Sequence, residues 1–454
     1  MRKLLLIISF VGPMAYVTAQ PSQKSKVISG PMLGQVELRT ATVWIEVASS
    51  VKSVAVRYWE KNRPASALTR NYKGILGADF NPIKIEIGGL EFNTTYQYNF
   101  IVDGTPVPAA SFTTKDLWQW RKPAPDFSFL TGSCAYFNEP IFDRPGKPYG
   151  QDSSIFETMA NTPAAFMLWL GDNWYTREVD YMSEWGLYYR ASHDRSLPVL
   201  KNFLKAMPHY AIWDDHDYGP DDADGSYILK DESRNLFSKY WCNPSYGQDG
   251  KGTYTQISYS DVDIFMTDDR YFRSSDELLD TVDGKPNANK HFLGTTQLHW
   301  LENALATSGA TFKIIVIGSQ VLNHLNRIAE SMRYFPAEFN ELISFLDRQK
   351  ISGVIFLTGD RHHSEIVKEE RSGNYPLYDI TSSPLTSGIS RVSGNELNNP
   401  ARIPGTLVEQ QNFSRLSVTG KKGERKLTVE FISLKGEKLS SWAIEEKELK
   451  SNSK

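Results

Sequence analysis

Five apolar runs in this chain each stop at a glycine or an acid and then turn polar. Phe127–Thr131 precedes Gly132-Ser133-Cys134, and Ala165–Leu170 precedes Gly171-Asp172. Tyr210–Trp213 precedes Asp214-Asp215-His216-Asp217, Lys313–Ile317 precedes Gly318-Ser319-Gln320, and Gly353–Thr358 precedes Gly359-Asp360-Arg361-His362. Short apolar runs bounded by turn residues read as buried strands. Ser153–Asn161, Thr296–Ala306 and Ala337–Gln349 between them read as helices, and Leu298, Trp300, Leu301 and Leu305 give the second a broad apolar face. That alternation indicates an α/β fold, in which ligands sit beyond the carboxyl ends of the strands. The tips therefore converge. Together they carry Cys134, Asp172, Asp214, Asp215, His216, Gln320, Asp360 and His362. Carboxylate, imidazole and one thiolate suit iron, manganese, zinc or calcium better than copper.

Each tip read alone has an ordinary explanation. Gly171-Asp172 is a common turn, Asp214–Asp217 can be a solvated loop, and a lone Cys134 is more often a small buried hydrophobe. Acids crowded at a buried strand end repel one another, and a cation relieves that. The combination at successive strand tips makes the metal reading the stronger one. Cys134, directly after a strand, is expected to be a thiolate ligand rather than the disulfide partner of Cys242, which follows Tyr240-Trp241 in a helical stretch.

The N-terminal part has a different texture. Thr42–Val47, Ser53–Trp59, Ile83–Ile87 and Tyr96–Val102 are strand-like at about ten-residue spacing, with Asp103-Gly104 as a hairpin turn. No helical window interrupts them, so a β-sandwich of fibronectin type III or immunoglobulin shape is expected, and Leu90 with Thr95–Tyr98 resembles the tyrosine corner of such modules. Trp118–Pro125 reads as a linker. The expected partition is a signal peptide over 1–19, the sandwich over 26–116, a linker over 117–125, a catalytic domain over 126–445 and a frayed Lys/Ser-rich tail over 446–454. Arg2 and Lys3, the apolar run Leu4–Tyr16 and Val17-Thr18-Ala19 carry the signal-peptide reading. A secreted or periplasmic location follows from it. No other apolar run reaches the ~18 residues of a transmembrane helix.

Composition narrows the functions. At 454 residues, with 40% hydrophobic and 23% charged, the chain has ordinary globular makeup for two or three domains. A net charge of −3, from 50 basic and 53 acidic residues, argues against a nucleic-acid-binding surface. Two cysteines exclude a disulfide scaffold and a Cys₄ zinc module.

The order of the motifs resembles the metallophosphoesterase superfamily and, more closely, the PhoD-like alkaline phosphatase/phosphodiesterase family. Gly132-Ser133-Cys134, Gly171-Asp172-Asn173-Trp174-Tyr175, Trp213–Asp217 and Gly359–His362 match its motifs G-S-C, G-D-x-x-Y, W-D-D-H-[DE] and G-D-x-H. Asp268–Arg273 matches its D-x-R-x-x-R. The resemblance spans about residues 27–445. It implies a two-sheet sandwich flanked by helices and a dinuclear or larger centre. Cys134, Asp172, Tyr175 and His362 would hold ferric iron, and Asp172 would bridge to a second cation held with Asp215 and Asp360, where oxygen donors favour calcium. A hydroxide shared by two such ions attacks phosphorus in line. His216 would donate a hydrogen bond or a proton, and Arg270, or less favourably Arg361, would clamp the phosphate. A structural ion pair with Asp268 or Asp269 is the alternative for Arg270.

Two places depart from the family pattern. Pro220-Asp221-Asp222 stands where the family often has an asparagine, so Asp221 either replaces that ligand or does not reach. The superfamily's isolated histidine has no clear match; Gln320, Asn323 and His324 are the candidates. Asp221–Gly225 resembles part of a calcium loop but reads as a turn. The expected function is hydrolysis of phosphate esters by a monomer. A phospholipase-type or nucleotide phosphodiesterase on the same scaffold is the alternative, as is a non-enzymatic calcium-dependent binding protein. Cys134 and His362 argue against the last, because calcium prefers oxygen.

Overall fold

The structure, a computed structural model, describes residues 25–325 and 329–451. The expected signal peptide lies outside the described residues. Two six-stranded sheets form the larger part of the molecule. The first runs His209–Ile212, Met167–Leu170, Phe127–Gly132, Asn412–Thr419, Lys426–Ser433 and Lys438–Glu445. Its first three strands are parallel and the rest antiparallel. The second runs Thr255–Tyr259, Val262–Met266, Phe312–Ile317, Val354–Thr358, Leu377–Thr381 and Glu365–Glu369, parallel through its middle and antiparallel at both edges.

Side-chain alternation explains why the sheets stack. On the strand Met167–Leu170, Leu168 and Leu170 enter a cluster that also holds Phe129, Ile264, Ile314 and Ile355, drawn from both sheets. Met167 and Trp169 enter a second cluster with Leu187, Phe203 and Leu236 from the helices Glu184–Arg195, Leu200–Ala206 and Lys230–Tyr240. A strand buried on both faces reads as a continuous apolar run, which is how these strands appear in the sequence. Among the described residues no helix is long and apolar enough to cross a membrane.

The N-terminal residues form a three-stranded and a five-stranded sheet around Val43, Ile45, Val56, Ile85, Tyr98 and Phe100. Asp103 and Gly104 both take positive φ, 46° and 80°, as a tight hairpin turn requires. The Glu91 backbone N–H donates to the Tyr96 hydroxyl at 2.9 Å, the bond that defines a tyrosine corner. This sandwich shares a core with the rest of the chain. Met32 and Trp44 belong to the second cluster, the Trp44 indole N–H donates to Lys239 O at 2.9 Å, and buried Glu46 accepts from Ser192 and Tyr240, each at 2.8 Å.

The end of the chain corrects the expectation of fraying from residue 446. Glu446–Leu449 forms a turn of 3₁₀ helix, Leu449 is fully buried, and its carbonyl accepts from Gly353 N at 2.9 Å. Leu449 thereby belongs to the main core cluster, a single apolar residue in a segment otherwise polar and charged.

His209, behind the Asp214–Asp217 tip, makes stability depend on pH. It is fully buried, accepts from the Trp169 indole N–H at 3.0 Å and donates from Nε2 to Phe203 O at 3.0 Å. The bond accepted at Nδ1 needs the neutral ring, and burial pushes its pKa down to about 3 even though the bond to Phe203 O favours the charged form. The unfolded chain takes up this proton near pH 6.5, so the contribution is complete above that pH and is lost as pH falls toward 3. Between pH 7 and pH 5 this site should cost about 2 kcal/mol. Urea unfolding of His209→Gln should show a pH 7-to-5 loss smaller by about that amount. An equal loss in both proteins would remove His209 from the account.

Candidate metal centre

Three strand tips from one sheet and two from the other meet at the upper edge of the sandwich. Glycines allow the close approach. A Cβ on Gly171, whose φ is +94°, would lie 2.6 Å from Asp214 Cβ, and one on Gly359 would lie 2.7 Å from Leu170 O and 2.8 Å from Ser133 Cβ. The residues after the tips are strained. Cys134, Asp172, Asp360 and His362 have φ of 63°, 53°, 64° and 54°, a left-handed region costly for residues other than glycine. Four of the expected ligands sharing this conformation indicates that the fold holds them there against local preference.

The donors converge in two overlapping groups. Ligand atoms of Cys134, Asp172 and His362 lie within 4.8 Å of one another, as do those of Asp172, Asp215 and His216. Asp172 is common to both. The Tyr175 hydroxyl donates to Asp172 Oδ2 at 2.8 Å and lies 3.2 Å from His362 Nε2. Its ring packs on His216, centroids 4.0 Å apart. Asp360 is half-buried on the neighbouring tip, with its backbone carbonyl 3.6 Å from Cys134 Sγ, and its carboxylate belongs to neither donor group. Burial, with Glu330 and Asp215 nearby, pushes the Asp360 carboxyl up to about 8. Burial and the charges of Asp215, Asp217 and Asp360 likewise push Asp172 well above the usual carboxylate range. Burial and Asp172 raise the Cys134 thiol. These are the shifts expected of anionic ligands gathered where only a cation favours the charged forms.

Several expectations gain a location. Cys134 and Cys242 are both free and buried; the first lies in the centre, while the second packs in the helix-side core. His216 Nε2 lies 3.3 Å from Asp221 Oδ1 and 3.8 Å from Asp215 Oδ2, and its Nδ1 is buried without a hydrogen-bond partner. Its position beside Asp172 admits ligation as well as proton donation. Asp221 reaches His216 but belongs to neither donor group, and Asp221–Gly225 is a turn.

The two arginines correct the clamp expectation. Arg270 is fully buried, with Nε donating to Asp214 Oδ1 at 2.6 Å and Nη1 donating to Glu330 Oε1 at 2.8 Å. The partner is neither Asp268 nor Asp269. Asp268 instead accepts from Trp213 Nε1 and from the backbone of Thr253, Arg270 and Tyr271 at 2.8–3.0 Å. Arg361 pairs in both N–H directions with Glu396, at 2.8 and 2.9 Å, and also donates to Gln320. The Gln320 amide donates at 2.9 Å to Glu365 and to Thr381, Asn323 donates to Gln320 and Glu396, and His324 is exposed. His324 joins neither donor group, and the Gln320 and Asn323 amides are taken up by these bonds.

Other contributors escaped the sequence reading. Glu330 gathers Arg270 and Arg273, the latter at 2.9 Å. Ser383 Oγ donates to Cys134 Sγ at 3.2 Å and accepts from His362 N at 3.0 Å. The Tyr149 hydroxyl meets His362 Nδ1 at 2.9 Å. Glu330 and Tyr149 follow no apolar run, and Ser383 follows the buried strand Leu377–Thr381, whose run is broken by Asp379, so the signal that exposed the others was weak there.

Comparison with known proteins follows the same lines. A profile of the PhoD-like phosphatase family matches residues 129–430, and one for a domain of unknown function (DUF7800) matches residues 24–115. Alkaline phosphatase D of Bacillus subtilis (strain 168) is 23% identical over 330 residues, covering 62% of this chain and 53% of that protein, so the chain matches about half of that relative's length. A solved structure of PhoD superposes with a TM-score of 0.75 at 17% identity, over 95% of this chain and 92% of that one. The purple acid phosphatase PPD1 of yellow lupin superposes with a TM-score of 0.63 at 11% identity, over 91% of this chain and 74% of that one. With its motifs at the strand tips and the family profile matched across most of its length, this chain belongs to the PhoD-like phosphatase family.

Proposed function

We propose that this chain is an exported, metal-dependent phosphoric ester hydrolase whose catalytic part begins near residue 126, after the sandwich of 26–116 and the linker of 117–125. One observation carries the reading: the Cys134–Asp172–His362 and Asp172–Asp215–His216 groups share a carboxylate at the convergence of the strand tips. The donors fit two cations. Cys134, Asp172, Tyr175 and His362 mix thiolate, phenolate and imidazole with an acid and suit ferric iron, while Asp172 and Asp215, joined by Asp360 from the neighbouring tip, would give a second cation the oxygen donors that suit calcium, with His216 beside them. Such a pair supplies an acidified water and polarises the phosphoryl oxygens.

The protein's own groups do the rest. Before metal binds, the neutral Tyr175 hydroxyl holds Asp172 by its 2.8 Å hydrogen bond, and the Asp222 backbone N–H fixes Asp215 Oδ2 at 2.8 Å. His216 is placed to hold a proton at Nε2 and deliver it to a leaving oxygen, with Asp221 Oδ1 3.3 Å from that nitrogen. Arg270 keeps Asp214, and with it the start of the 215–218 helix, in place.

Diesters are expected to react at least as readily as monoesters. Both candidate clamp arginines are engaged by buried acids, and Asp221 is exposed beside His216. A dianionic phosphate therefore meets acids before it meets a free guanidinium, and a monoanion meets less repulsion. The test is hydrolysis of bis-p-nitrophenyl phosphate and p-nitrophenyl phosphate by protein stripped with EDTA and then supplied with iron and calcium. Restored turnover with kcat/KM for the diester equal or higher is expected. Strong monoester preference overturns the diester claim, and no turnover of either overturns the enzyme. Arg2, Lys3 and the apolar run to Tyr16 support export with cleavage near Ala19. N-terminal sequencing of the protein recovered outside the cytoplasm checks that.

A further inference from the structure

A pocket of about 680 Å³ opens beside the centre, within the size range of small-molecule sites. Tyr175, His216 and Asp221 form its inner wall, so it is continuous with the site where phosphorus would sit. Its other walls come from the 142–149 loop and the 175–181 segment. The lining includes the rings of Tyr136, Phe142, Tyr149 and Tyr181 along with Tyr175. Tyr149 is 43% exposed, and its ring stands edge-on to Tyr136 with centroids 4.9 Å apart.

These rings are held in place. The Tyr149 hydroxyl is tied to His362 at 2.9 Å, and the Tyr136 hydroxyl donates to Asp143 at 2.7 Å. The buried Arg177 guanidinium lies 4.1 Å from the Tyr136 centroid. Arg144 and Glu178 pair at 3.4 Å between the two walls, with both side chains largely exposed. Such a pair opens at little cost. A fixed set of aromatic walls next to a proton donor favours flat, polarisable surfaces over aliphatic ones of equal size.

We propose that this pocket receives the leaving organic group of the ester and selects groups bearing a planar ring, aryl or nucleobase, over saturated ones. The proposal rests on the hydrolase reading above, and it adds a substrate class that the metal ligands do not specify. Tyr149 links the two functions, because the residue that forms a pocket wall also holds the far nitrogen of His362.

The experiment compares ethyl benzyl phosphate with ethyl cyclohexylmethyl phosphate, whose alcohols are alike in size and acidity and differ in flatness. With iron and calcium supplied, kcat/KM for the benzyl ester should exceed the other by roughly 10-fold, the scale of one ring stack. A Phe142→Leu/Tyr181→Leu variant, which leaves every candidate ligand in place, should bring the two esters within about threefold. A binding arm reads the same preference without turnover: the monomethyl esters of benzylphosphonate and cyclohexylmethylphosphonate are titrated against the metal-supplied protein. A Kd ratio near 10 supports the pocket. Equal kcat/KM for both esters, or equal Kd for both phosphonates, overturns it while leaving the hydrolase intact. Absence of turnover with a retained Kd ratio overturns the hydrolase reading and leaves the pocket's selectivity standing.

Discussion

Asp172→Asn should lower hydrolysis of any phosphate ester by at least about 10³-fold, equivalent to ~4 kcal/mol of transition-state stabilisation. Asparagine is the informative replacement. Asp172 has φ of 53°, and asparagine tolerates the left-handed region better than alanine, so the backbone keeps its shape while the charge goes. The Tyr175 hydroxyl can still donate to the remaining side-chain oxygen. What is lost is the anion common to both donor groups.

Stability should move in opposite directions with and without metal. In stripped protein the carboxylate is buried beside Asp215, Asp217 and Asp360, which together push its pKa far up. Removing its charge relieves that repulsion, so stripped Asp172→Asn should unfold at or above the temperature of stripped wild type. Metal at ~100 times its dissociation constant should add about 2.7 kcal/mol to wild type and far less to the variant. Calorimetry of the four samples and metal counts on the folded proteins decide the matter. Full occupancy of both ions in Asp172→Asn would show that the shared carboxylate is not a shared ligand. Asp215→Asn should weaken only one ion, which separates a bridging role from mere proximity.

The contrast between these residues and the ones missed shows what a sequence can disclose. Cys134, Asp172, Asp215 and Asp360 were legible because each ends an apolar run, and a buried strand must release its chain at a tip. The double alternation of Leu168 and Leu170 against Met167 and Trp169 was equally legible as a strand buried on both faces, although not which sheet it joined. Sheet membership depends on pairings far apart in the chain, such as Phe129 opposite Leu416, and local pattern carries no trace of them. Tyr149 sits in a loop with no periodicity, Ser383 follows a strand whose apolar run Asp379 interrupts, and only the folded chain brings them to His362 and Cys134. Arg270 was legible as near the site, but not its pairing with Asp214 and Glu330. A motif shows that an arginine is near the site, while its partner Glu330, 60 residues later, decides whether the guanidinium is free.

Arg270→Met should therefore act first on stability. The guanidinium is fully buried between Asp214 and Glu330 and lies 3.8 Å from Asp215. Methionine fills similar volume but leaves buried Asp214 without its cation and Glu330 with Arg273 alone. Breaking one side of such a pair costs about 3–5 kcal/mol, because the remaining charge stays desolvated. A surface ion pair would cost about 0–1 kcal/mol, so the size of the loss tests the burial itself. The pH dependence has a definite sign. Burial already raises the Asp214 pKa, and Arg270 is the main charge that lowers it. Without Arg270 the folded-state pKa rises further, the folded state binds the proton more tightly than the unfolded chain, and stability increases as pH falls. The deficit of Arg270→Met relative to wild type in urea unfolding should thus be larger at pH 8 than at pH 5.5. Adding Asp214→Asn should recover part of it, since the double variant removes the stranded charge. Metal content and KM would shift less than stability if Arg270 only positions the Asp214 tip. A stable Arg270→Met with KM raised by 10-fold or more would instead return Arg270 to the role of a phosphate clamp.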